Sequence, residues 1–192
     1  MNLFSLFRRK PHERPGFMLY GAAVGAARDD WFYRELAVPD TLDGRFDTVG
    51  LHVALLIHRL RRDASPDGAA MAQAVFDAMF ADMDVNLREM GVGDLSVGKK
   101  VRAMWEAFHG RAKAYEAAVE AGDAGALAQA LRRNIWREEP GDGGPGPAAE
   151  AMAAHALAVV RHLAAQPMPA LLRGSVTFPP TPATHGGASD AA

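Results

Sequence analysis

Apolar residues recur at helical spacing along most of the chain. Phe46, Val49, Val53, Leu56 and Leu60 fall three or four apart and predict a helix over 45–61. Phe76, Met79, Phe80, Met83, Leu87 and Met90 form a second stripe, and Val97, Val101, Met104, Trp105, Phe108, Ala112, Tyr115 and Val119 a third. Leu127, Leu131 and Ile135 share one face of a further helix, as do Met152, Ala156, Val159, Val160 and Leu163. Residues 16–28, rich in Ala, predict an opening helix, and 31–36 a short aromatic one capped by Asp29 or Asp30.

Punctuation agrees with these stripes. Pro39 and Asp40 mark a turn, and Ser65-Pro66-Asp67 is a helix start with Pro in the first turn. Gly91 and Gly93 end the helix before them, and Asp94 and Asp123 are expected N-caps. Pro167 and Pro169 are expected to end the last helix. The pattern contains no strand and no internal repeat. It predicts an all-α, irregular or orthogonal bundle of six or seven helices. The expected organisation is a basic and apolar segment over 1–14, a helical domain over 15–172 with a mobile loop near 137–147, and a disordered tail over 173–192.

Composition narrows the function. The 192 residues suffice for one domain with a true core, and a net charge of −2 argues against a nucleic-acid partner. With no Cys, disulfides, thiolate catalysis and Cys-ligated metals are excluded. No apolar run is long enough to span a bilayer. Leu3, Phe4, Leu6 and Phe7, followed by Arg8, Arg9 and Lys10, form an apolar patch with a basic edge. Such a turn could rest on an anionic membrane surface, although Pro11 keeps it short.

Candidate chemistry is sparse. No HxH or HExxH motif is present, and His52 and His58, six apart, point to different faces. His52 with Asp82 and Asp84 could form a carboxylate–His site. The preferred reading of His52 is a histidine at the edge of the core, bonded to a neighbouring helix. No Ser lies in G-x-S-x-G, and GVGD lacks the ending of a phosphate loop. No catalytic group, metal or cofactor is predicted. The nine Met suit an adaptable core, or a pliable groove for apolar helices. Charged residues over 83–115 remain: Asp84, Arg88, Glu89, Asp94, Lys99, Lys100 and Arg111. They suggest a helical hairpin with a charged face for recognition. Gly110 in mid-helix costs about 1 kcal/mol relative to Ala, so a close approach by another helix or a partner backbone is expected there.

Three stretches carry a resemblance: FYRELAVPDTLDGRFD over 32–47, LHVALLIHRLR over 51–61, and FDAMFADMDVNLREMGVGDLSVGKKVRAMWEAFHGRAKAYEAA over 76–118. Together they resemble the ubiquinol-cytochrome c chaperone family, over residues 15–140. The resemblance implies a non-enzymatic, all-helical assembly factor for the cytochrome bc1 complex that holds newly made cytochrome b. It further implies a small partner subunit or a ribosome contact. Without a recognisable transit peptide, the chain is expected to be a bacterial member, cytoplasmic and peripheral on the inner membrane. On this reading Arg88, Lys99, Lys100 and Arg111 meet acidic or carbonyl groups of a client, and Asp84, Glu89 and Asp94 meet basic ones. Tyr115 and His52 complete the expected contact set, and Leu3, Phe4, Phe7, Arg8, Arg9 and Lys10 the membrane set. The alternative is a helical carrier of a small hydrophobic ligand such as quinone or haem. Its pocket would use Trp31, Trp105, Phe108 and Met residues, with His52 or His109 as polar handle.

Overall fold

The computed structural model describes residues 12–138 and 146–182. Among these the chain forms eight α-helices and no strand. They are α1 (Glu13–Ala27), α2 (Asp30–Arg34), α3 (Leu42–Arg61), α4 (Pro66–Glu89), α5 (Asp94–Ala121), α6 (Ala124–Leu131), α7 (Pro147–Ala164) and α8 (Met168–Leu172).

Helix α3 is the axis of the fold. Every residue from Phe46 to His58 is buried, as expected for a helix apolar on all sides. It packs against α1, α4, α5 and α7, so both halves of the chain share one core. Leu19, Phe32, Leu56, Met71, Met79, Leu131, Met152 and Leu163 fill that core. Three Met are therefore core fillers, while Met18 and Met90 are exposed. Helices α1 and α4 approach closely at Gly16, where a side chain would lie 2.8 Å from Ala74.

Most caps follow the sequence. Asp29 Oδ1 accepts from the Trp31 amide at 2.9 Å, Ser65 heads α4, and Asp123 Oδ1 accepts from the Ala126 amide at 2.8 Å. Helix α3 starts earlier than the apolar stripe suggests, because Thr41 Oγ1 accepts from the Gly44 amide at 3.1 Å. Asp94 does not cap α5. Gly93 occupies that position, and Asp94, the first helical residue, gives its carboxylate to Arg88 instead.

Two regions depart further from expectation. Helix α6 runs into a π-helical turn, Arg132–Trp136, and Arg137 then adopts φ 60°, rare for a residue with a side chain. Trp136 Nε1 anchors this turn by donating to the Leu36 carbonyl at 3.0 Å. Helix α7 ends at Ala164, ahead of Pro167 and Pro169 as expected, but those prolines do not end regular structure. They head α8, with Pro169 tolerated in its first turn. The segment beyond α8 is pinned rather than free: Gln166 pairs with both backbone groups of Thr177 at 2.8 and 2.9 Å. Arg59 holds the C-terminus of α7 by donating to the Leu163 and Gln166 carbonyls, each at 3.0 Å. No helix among the described residues is long and apolar enough to cross a membrane.

Candidate functional site

Helices α4 and α5 form a long hairpin, closed by Gly91 at φ 79°. Its inner half packs on α3. Its outer half does not: between Leu87 and Phe108 only Val97 is buried. Exposed apolar side chains concentrate there, with Leu95 94% exposed, Met90 59%, Val85 50% and Trp105 45%. Single exposed apolar residues are ordinary, but here four lie on one hairpin. Trp105 stacks on His109 with ring centres 4.1 Å apart, and His109 meets Phe76 at 5.3 Å. Phe76 in turn touches Phe80 and Phe108, which carry the aromatic row into the core.

The expected charges are used differently from one another. Arg88 binds both Asp84, at 2.6 Å, and Asp94, at 2.5 Å, and so ties the end of α4 to the start of α5. The Arg88 hydrogen bond holds the Asp84 carboxyl below its usual range. Asp84, Arg88 and Asp94 thus neutralise one another in large part, while Glu89, Lys99 and Lys100 stand exposed beside them. Lys99 and Lys100 make no ion pair among the described residues.

Three members of the expected contact set turn inward. Arg111 reaches across to Asp47 on α3 and is mostly covered. Tyr115 is buried beside the same group, and burial raises its phenol. His52 lies inside the core, where Nδ1 donates to Thr48 O at 2.8 Å on its own helix rather than to a neighbouring one. Its ring packs against Phe32, His155 and Phe178. Burial lowers the His52 pKa to about 4, so the ring is neutral. These residues have little or no surface to offer a partner. The apolar and basic set Leu3, Phe4, Phe7, Arg8, Arg9 and Lys10 lies outside the described residues.

Asp47, which the sequence reading missed, is the hub of a buried charge group. Its carboxylate contacts Arg111 and, at 2.7 Å, Arg137. Burial outweighs both guanidinium groups and pushes its pKa up to about 6. The signal was present in the sequence, because Asp47 is the single acid in the apolar run from Phe46 to Ile57. The pair also explains how Arg137 is held in its left-handed backbone conformation.

The two other arrangements expected of the polar residues are not assembled. Asp82 accepts from Tyr20 Oη at 2.7 Å and Asp84 binds Arg88, so neither joins His52. Trp31 packs with Phe32 and His155, whereas Trp105 belongs to the His109 group, so these residues line no common ligand pocket. Gly110 has open space before it, and no helix among the described residues makes the close approach expected there. His58, Glu116 and Glu120 do bring three possible metal-ligand atoms within 4.8 Å of one another. His58 already faces Glu116 at 3.5 Å, and Arg62 lies 3.8 Å from Glu120.

Comparison with known proteins agrees with the fold. Residues 34–178 match the family model described as ubiquinol-cytochrome C chaperone. The chain is 26% identical over 124 residues to ubiquinol-cytochrome-c reductase complex assembly factor 1 of Xenopus laevis, covering 65% of this chain and 61% of that one. The match therefore spans about three fifths of the relative's length. A crystal structure of the Cbp3 homolog from Brucella abortus superposes with a TM-score of 0.78 at 36% identity, covering 94% of this chain and 98% of that one.

Proposed function

The chain belongs to the ubiquinol-cytochrome c chaperone family, and from that premise we propose that it is an assembly chaperone for the cytochrome bc1 complex, with unassembled cytochrome b as its client. It acts by binding rather than by catalysis. The observation that carries the site is the outer half of the α4–α5 hairpin, where Val85, Met90, Leu95 and Trp105 are exposed on a rigid helical frame.

The physics suits a holdase. Burying one exposed Leu against a partner contributes about 1.5–3 kcal/mol before the costs of association. Four such residues support a reversible grip on an apolar segment, which a chaperone must later release. The Asp84–Arg88–Asp94 clasp fixes the angle of the hairpin, and Lys99, Lys100 and Glu89 are free to select flanking charges on the client. Peripheral contact of the basic N-terminal segment with the inner membrane would place the chaperone where cytochrome b is inserted.

The test is deletion of the gene, followed by haem staining and immunoblotting of membranes for cytochrome b and cytochrome c1. Cytochrome b is expected to fall with its messenger RNA unchanged, and the intact chain to restore it. A Leu95→Glu, Trp105→Glu double variant should fold, because both side chains are exposed, yet fail to restore cytochrome b. Normal cytochrome b in the deletion strain would overturn the function, and full rescue by the double variant would overturn the site.

A further inference from the structure

A cleft of about 240 Å³ opens where α3, α4 and α5 meet, inward of the hairpin tip. Ala54, Ile57, Phe76 and Phe108 form its apolar floor, and Arg61 and Lys113 stand at its exposed rim. We propose that this cleft docks an acidic–apolar segment of a partner protein, with an apolar side chain on the floor and a carboxylate held by Arg61 and Lys113. The identity of the partner rests on the holding role proposed above; the cleft adds a second, charge-selective point of grip.

The charge balance of this face identifies the occupant. Glu106 pairs with Arg102 at 3.0 Å and Glu120 faces Arg62 at 3.8 Å, while Glu116, part of the lining, faces the His58 imidazole at 3.5 Å. Arg61 and Lys113 make no ion pair among the described residues, and neither do Lys99 and Lys100 further along α5. Two unpaired cations at the rim against the one acid of the lining, Glu116, leave the cleft complementary to a negative partner. Size argues for a side chain rather than a small-molecule ligand, because such sites usually run from about 300 to 1,000 Å³. His109 lies in the same lining and stacks on Trp105, so the cleft is continuous with the exposed apolar hairpin. A segment lying across both would meet Trp105 first and place its acidic residue at the rim.

The experiment uses the full chain and a fluorescein-labelled helical peptide of about 16 residues, built on Ala and Gln, with one Leu and one Glu four apart. Its twin carries Gln in place of Glu. Anisotropy titrations should show the Glu peptide binding about five-fold more tightly than the twin, the scale of one exposed charge pair. That preference should vanish in an Arg61→Gln, Lys113→Gln double variant and shrink at high salt. Equal binding of the two peptides, or a preference retained by the double variant, overturns the proposal. So does a wild type that shows no peptide preference but sediments with phosphatidylglycerol vesicles, because the cations would then serve a lipid surface. In the deletion strain the double variant should restore less cytochrome b than the intact chain. Full restoration overturns the cleft and leaves the chaperone function standing. Unchanged cytochrome b on deletion overturns the chaperone function, and the peptide preference alone then decides the cleft.

Discussion

Two charge triads in this molecule are mirror images. At Asp47 one buried acid sits between two cations, the mostly covered Arg111 and the half-exposed Arg137. At Arg88 one cation sits between two acids, Asp84 and Asp94, in water. The stoichiometry is the same, but the solvent is not, and solvent decides what each triad does. The triad centred on buried Asp47 joins α3 to α5 and to the turn after α6 across 64 and 90 residues of sequence, and breaking the Asp47–Arg111 contact strands a covered charge. The exposed triad is screened and held by mobile side chains, so it contributes little stability and serves chiefly to shape the hairpin end.

The largest test removes the buried hub. Asp47→Ala leaves the mostly covered Arg111 without its partner, while half-exposed Arg137 can turn to solvent, and should cost about 2–4 kcal/mol in urea unfolding. A cost below about 1 kcal/mol would make the two triads equivalent and break the comparison. The next test concerns another buried titratable group. His52 has a folded pKa near 4 against about 6.5 unfolded, so the unfolded chain binds the extra proton between these values. Stability from this group is full above pH 6.5 and falls as the pH drops toward 4, by about 3 kcal/mol in all. Asp47 has the opposite sign, because its raised pKa makes the fold take up a proton between about pH 6 and 3.8 and gain stability there. The His52→Gln variant isolates the first effect: its stability should fall less than wild type's below pH 6.5, the remaining loss being that of His155, whose pKa burial also lowers. Parallel curves for the two proteins would remove His52 from the account.

Two smaller substitutions probe the hairpin. Gly110→Ala should stabilise the free protein by about 1 kcal/mol, since a Cβ there meets open space. If the same variant rescues cytochrome b less well than wild type, a partner backbone uses that space. A destabilised Gly110→Ala would refute the helix-propensity argument. Arg88→Ala should leave the urea midpoint nearly unchanged, against the clear loss expected at Asp47. A larger loss would show that the exposed triad is a structural joint like the buried one.

The helices were legible because their signals are local. The stripes of α3, α4 and α5, Asp29, the Ser65-Pro66 start and Asp123 each act within a few residues. Helix α8 was missed because five residues show no periodicity and its prolines read as breakers. Asp94 was read as a cap because the competing partner, Arg88, depends on how the hairpin folds back. The site was legible in place but not in its members. Arg111 reads as a client-facing charge because its partner, Asp47, lies 64 residues away. Tyr115 already falls in an apolar stripe and His52 at the core edge, and full burial removes them from the contact set. Leu95 falls outside the stripe that begins at Val97, and its exposure on the hairpin comes from the structure alone. Periodicity tells which residues share a face of a helix, but it does not tell which face finds another helix.

The stack of Trp105 on His109 gives the molecule an optical gauge of its own. Trp31 is enclosed and Trp136 has its indole N–H committed to Leu36, so their emission is set by the interior. Trp105 alone among the three lies on the hairpin, against an imidazole and half in water. A segment settling there would strip solvent from that indole and shift its spectrum to the blue, so occupancy can be followed by light without attaching a dye.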